Sequence, residues 1–286
     1  MYALFNLDET INKYNIPLWT KRYVYRYIKR SPVNAANRML SFIEIGRKKG
    51  RVTRKGVFLP NGMFFDINFV SEILYLFYYG EKRISESYER WAEEHSQYSK
   101  NLLSLSETTQ KHARAIRNMI NGLRIPKKEP NPSAIGVFDF IDSVEDIKER
   151  IVLSSLILKY SYGYPFGFVF YKAFYPASSE FMRSFGKVFL NNKDVEFFES
   201  EAKSIILKKE ISQDRLLVIV EMLLEKISYS IEKEIPLAKK AGVENEIMLL
   251  NDISIAYPLH IIKDLGIDIN PDKEADSIIR RTRKKR

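Results

Sequence analysis

Two consecutive stretches, residues 68–94 and 98–123, constrain this chain most, because each carries an apolar stripe at helical spacing. Placed at about 100° per residue, Ile73, Phe77, Ile84, Tyr88 and Trp91 share one face of the first stretch, and Glu81 falls among them. The second presents Leu105, Ile116, Met119 and Leu123, with Thr109 and His112 in the middle. A carboxylate on the buried side of a helix is costly unless it is paired, hydrogen-bonded or bound to a cation. Glu81 therefore requires a partner. The short connection between the stretches predicts an antiparallel pair, which turns His112 toward Glu81.

The remainder of the chain is also rich in helical signals. Such patterns run over 33–45, over 144–162 behind an N-cap at Ser143 with Asp146 three residues on, from Ser178 or Ser179 to about 190, and over 195–209. Ser212 caps a longer one over 213–241, and the last, over 244–265, is kinked at Pro258 and closed by Gly266. Strand signals are confined to 50–53 and 56–59, followed by Pro60-Asn61-Gly62, which predicts a small hairpin. Residues 124–136 hold Pro126, Pro130 and Pro132 and are expected to be an extended connector. Residues 151–175 carry only Lys159 and Lys172 as charges. Gly163-Tyr164-Pro165 interrupts them, so they are expected to form a buried central helix and not a membrane span. The fold class is mainly α, with a basic N-terminal extension over 1–66, a helical bundle over 67–270 and a basic tail over 271–286.

Charge is uneven along the chain. Of the formal +10, residues 1–60 contribute 13 Lys and Arg against 3 Asp and Glu, and residues 280–286 add six more cations. Everything between is mildly acidic. Arg22, Tyr23, Tyr25, Arg26, Tyr27, Lys29 and Arg30 interleave cations with aromatic rings, a pattern that can neutralise phosphates while rings stack on bases. It equally suits an amphipathic element with its rings in the core. The chain has no Cys, which excludes disulfides, zinc-thiolate sites and iron-sulfur clusters. Only His95, His112 and His260 are available as imidazoles, so a metal would rest mainly on carboxylates. There is no Gly-rich phosphate loop, no Gly-x-Ser-x-Gly elbow and no His-Glu-x-x-His. The opening residues lack a basic and then apolar secretion pattern, so a cytoplasmic location is expected.

The run Tyr79-Gly80-Glu81-Lys82-Arg83, with Gln110-Lys111-His112-Ala113-Arg114-Ala115-Ile116 about thirty residues later, resembles the first helix pair of ferritin-like di-iron carboxylate proteins. In that family one helix supplies a Glu and the next a Glu-x-x-His, since iron takes hard carboxylate oxygens together with imidazole. Glu81 and His112 match, whereas Thr109 stands where the second Glu belongs. Glu107 lies about 140° from His112 and faces away. For the second pair, one register joins 213–241 to 244–265, with Glu221 or Glu225 as the carboxylate, His260 as the imidazole and Tyr257 at the remaining Glu position. The other joins 144–175 to 178–209 and resembles a phenylacetyl-CoA oxygenase subunit over 187–200. There Phe197 follows Asp194 and Glu196 at the imidazole's place.

The resemblance implies a ferritin-like four-helix bundle with extra helices, and iron or manganese as cofactor if the site functions. The departures imply a non-catalytic protein or an accessory subunit, as a homo-oligomer or with a partner subunit. Two alternatives stand beside it. One is a nucleic-acid-binding protein using the basic ends; the other is an active iron-dependent oxidase or oxygenase with Glu81, His112 and Glu221 or Glu225 as ligands. In a purely structural role, Glu81 would be salt-bridged and His112 a satisfied core histidine.

Overall fold

The computed structural model describes residues 22, 23, 26, 51–53, 55–58, 64–129, 132–157, 193–233, 235–240 and 244–284. The expectations over 33–45 and 158–192, and those for Tyr25, Tyr27, Lys29 and Arg30, lie outside them. Three short strands, β1 (Arg51–Thr53), β2 (Gly56–Phe58) and β3 (Phe64–Asp66), form an antiparallel sheet in sequence order. Val52 pairs with Val57 and Val57 with Phe65. The expected hairpin is there, extended by a third strand beyond the Pro60-Asn61-Gly62 signal. Asp66 ends that strand and caps the following helix, its Oδ1 accepting from Asn68 N at 2.7 Å. The sheet is fastened at the same point, where Ile67 N donates to Lys55 O at 2.9 Å.

Two long helices follow, α1 (Ile67–Glu94) and α2 (Ser96–Gly122), parted by the single residue His95. They pack antiparallel, with Glu81 opposite His112 and Ser85 opposite Ser106. Phe77, Ile84, Tyr88 and Trp91 are buried from one helix, and Leu105, Thr109, His112, Ile116 and Met119 from the other. These are the faces that the helical spacing predicts. Small hydroxyl residues sit between them. The Ser85 and Ser106 hydroxyls are 2.8 Å apart, and Ser106 also donates to Glu89 Oε1 at 2.8 Å.

The expected connector is shorter than the prolines imply, because α3 (Pro132–Ser143) starts at Pro132. Proline suits the first helical position, where its missing N–H costs nothing. Next comes α4 (Ile147–Ser155), capped by Asp146, whose Oδ1 accepts from Lys148 N at 2.7 Å. Ser143 instead donates to Phe140 O at 2.7 Å within α3. The order continues with α5 (Lys193–Leu207), α6 (Gln213–Lys233), α7 (Ile235–Lys240), α8 (Glu244–Asp264) and α9 (Pro271–Lys284). Gly266 closes α8 at φ +96, a conformation that glycine adopts without strain.

The segment expected as a basic tail over 271–286 carries a helix, α9, that packs against α8 and α6. Asn270 caps it, accepting from Lys273 N at 3.1 Å. Ala275, Ile278, Ile279 and Thr282 then fall on one buried face. Each buried isoleucine contributes on the order of 2 kcal/mol to holding α9 in place. Among the described residues, no helix is long and apolar enough to cross a membrane.

Helix α3 joins the two halves, packing on α1 and on α6. Its Asp142 accepts from Trp91 Nε1 at 3.0 Å and from Ser87 Oγ at 3.2 Å, and it is bonded by both Arg83 and Arg90. Arg83 also reaches Asp139 at 2.9 Å. Replacing Asp142 by Ala takes this acceptor from the Arg90 guanidinium and the Trp91 indole N–H, and leaves Arg83 its bonds to Asp139. We expect an unfolding free energy in urea lower by about 3 kcal/mol. Asp142→Asn, which keeps an acceptor but loses the charge, should fall between the two.

Candidate functional site

Helices α1 and α2 bring together the first two residues that the sequence singles out. Glu81 Oε2 lies 3.5 Å from His112 Nδ1. The imidazole is buried and the carboxylate mostly so. One turn before His112 on the same face, Thr109 donates its hydroxyl to Leu105 O at 2.6 Å, the i−4 bond by which a helical threonine satisfies itself. Glu107 is exposed. The pair offers one carboxylate and one imidazole, an acid and a base side by side, but fewer ligands than a bound iron or manganese ordinarily takes.

The remaining candidate ligands sit elsewhere and have partners of their own. Arg281 of α9 bonds Glu221 and reaches Glu225 Oε1 at 3.0 Å. His260 Nε2 lies 3.3 Å from Asp272 Oδ1, also on α9. The helical spacing could not show this, because it does not reveal that α9 covers the faces of α6 and α8 on which these residues stand. In the other register, Phe197 and Phe198 are packing residues: Phe198 is buried with its ring 5.3 Å from that of Tyr88. His95 lies between α1 and α2, 3.7 Å from Glu94 Oε2. Among the described residues, no three His, Asp or Glu side chains converge on a point that could hold a metal ion.

Of the run from Arg22 to Arg30, the described residues Arg22, Tyr23 and Arg26 face the interior. Tyr23 is fully buried, with the Arg22 and Arg26 guanidinium carbons 5.2 Å and 5.3 Å from its ring centroid. Arg22 Nη1 lies 2.9 Å from Asp272 Oδ2, and Arg22 also bonds Asp276. Arg26 Nη2 bonds Asp276 Oδ1 at 2.8 Å, and its Nη1 lies 3.7 Å from Asp252 Oδ2. Asp252 is fully buried on α8 and bonded by Arg283 Nη2 at 2.6 Å. A ring in this position cannot stack on a base, and both guanidiniums already face carboxylates. Of the two readings of Arg22, Tyr23 and Arg26, the buried Tyr23 ring is that of an amphipathic element with its ring in the core.

Two buried acids escape the sequence reading. Asp252 stands among Leu249, Leu250, Ile253, Ile255 and Ala256, a signal of the kind that singles out Glu81. Glu149, buried on α4, takes a two-pronged bond from Arg215 of α6, both arms at 2.8 Å. It lines an open cleft of about 490 Å³ between α3, α4 and α6, with Phe140, Val144, Ile219 and Met222 along the apolar side.

Acid acts around α9 in two steps, through His260 and Asp276. Burial holds the His260 imidazole below its ordinary value, outweighing the opposing hydrogen bond and charge of Asp272. Burial pushes Asp276 up, but the hydrogen bonds and charges of Arg26 and Arg22 outweigh it and leave the carboxyl below its ordinary value. A lowered imidazole contributes in full above its unfolded value of about 6.5 and loses this as pH falls below it. The lowered carboxyl contributes above about pH 4 and fails as pH drops through its folded value. Between about pH 7 and pH 5, Tm should therefore fall more steeply in the native chain than in His260→Gln. Parallel profiles would contradict this assignment.

No protein-family model, curated protein or solved structure matches the chain.

Proposed function

We propose that this chain is a ferritin-like helical protein whose di-iron-type site is incomplete, serving as a non-catalytic protein or accessory subunit. In this reading α1 and α2 form one helix pair and α6 and α8 the other, with α3 packed against a member of each. The observation that carries it is the α1–α2 seam. Glu81 and His112 meet at 3.5 Å, while the next inward position, Thr109, spends its hydroxyl on Leu105 O. A di-iron centre draws carboxylates and imidazoles from four helices. Here one pair supplies two such side chains. The other has its candidates engaged by Arg281 and Asp272.

A buried acid–base pair of this kind ties two long helices in one register, which suits a scaffold. Slipping α2 by one turn would separate Glu81 from His112 and leave both buried polar groups to new surroundings. That register specificity is what a polar pair adds to an apolar seam.

The test supplies the missing ligand. Native protein given Fe(II) or Mn(II) should show neither stoichiometric tight binding nor oxygen uptake. In Thr109→Glu a carboxylate joins His112 at i, i+3 on the inward face, and metal should then raise Tm by roughly 5 °C or more. Stoichiometric iron in the native protein, lost in Glu81→Ala and His112→Ala and accompanied by oxygen uptake, would overturn the non-catalytic reading.

A further inference from the structure

Three regions far apart in the chain meet in one ion cluster: Arg22, Tyr23 and Arg26 near the start, Asp252 on α8, and Asp272, Asp276 and Arg283 on α9. The acidic groups line the seam between α8 and α9, where Asp272, Asp276 and Asp252 stand on two packed helices. Like charges so placed push α9 away from α8 unless cations lie between them. Arg26 is one bridging cation, since one of its nitrogens reaches Asp276 on α9 and another lies toward Asp252 on α8, beside the direct bond from Arg283 of α9 to Asp252. Arg22 neutralises the outer end through Asp272 and Asp276.

We infer that the N-terminal segment carrying Arg22, Tyr23 and Arg26 is an electrostatic strap that holds α9 closed on α8, so that strap and helix dock and leave as one unit. Tyr23 is its anchor. The ring is fully buried with both guanidiniums against it, which helps hold both forks toward their carboxylates. The cluster is graded from rim to interior. Asp272 and Arg22 are each more than a third exposed or close to it, and are open to screening by salt, whereas Asp252 is fully buried and is not. Raising ionic strength therefore loosens the rim before the buried Asp252 to Arg283 bond.

Release matters because of what α9 carries. Its inward face is Ala275, Ile278, Ile279 and Thr282, and its last turns hold Arg280, Arg281, Arg283 and Lys284. An undocked α9 is a basic amphipathic helix. Its departure also withdraws Arg281 from Glu221 and Glu225, and Asp272 from His260. The strap thus governs whether the acidic face of α6 is covered. This device stands independently of the metal reading of Glu81 and His112.

Hydrogen exchange of the full chain, resolved by peptide, tests it. In Arg22→Gln/Arg26→Gln, amides of residues 271–284 should exchange on the order of tenfold or more faster, while those of α1 and α2 keep native rates. In native protein, a change from about 0.05 M to about 1 M salt should accelerate the same peptide selectively. Unchanged α9 exchange in the double variant, or an even rise across the whole chain, overturns the strap. If the double variant does not fold, Arg22→Lys/Arg26→Lys retains the charges but loses the forked geometry, and selective acceleration of α9 is again expected. Native rates over α9 in that variant, together with no salt effect, would also overturn it.

Discussion

The bonds made by Asp142 decide how the long α1–α2 hairpin is joined to the rest of the molecule. One carboxylate on a short helix receives two guanidiniums, an indole N–H and a serine hydroxyl, all from α1. These donors come from residues 83, 87, 90 and 91, so they occupy one face of a helix over about two turns. An apolar contact alone lets α3 slide along α1. Charge-assisted bonds of fixed direction set both rotation and translation, and α3 then presents its other side to α6. The position of the second half of the chain relative to the first follows from that choice.

The same rule governs the other buried acids. Glu149 is answered by Arg215 across α4 and α6, Asp252 by Arg283 and Arg26 across α8, α9 and the N-terminal segment, and Glu81 by the imidazole of His112. Each pair joins elements that apolar packing alone would bring together in several registers. Uncompensated, each carboxylate would cost several kcal/mol. Glu81 differs from the others in meeting a titratable base and not a permanent cation. This is why the α1–α2 seam carries the functional reading, while the other pairs are read as fastenings.

Much of the hairpin was legible from spacing. Glu81, His112 and Thr109 could be assigned to an inward face because helical geometry is local and repeats every 3.6 residues. The small sheet was legible in part, from turn chemistry. Helix α3 was hidden by its own prolines: Pro132 reads as a breaker unless it is recognised as a first helical residue. Helix α9 was hidden by charge. Its apolar face is only Ala275, Ile278, Ile279 and the methyl of Thr282, a narrow stripe within a basic segment. The aspartates that make sense of it face arginines some 250 residues away in sequence.

What the sequence by itself determined is the helical class, the α1–α2 pairing and the inward acid–base pair, since all three depend on contacts between near neighbours or across one short connection. Only the tertiary structure decided which charges meet. Arg22, Tyr23 and Arg26 read as free cations and rings until α8 and α9 supply Asp252, Asp272 and Asp276, and Glu221, Glu225 and His260 read as ligands until α9 pairs with them. Partner choice between distant charged groups is set by which helix faces lie against each other. That depends on the packing of the whole chain, and no local periodicity records it.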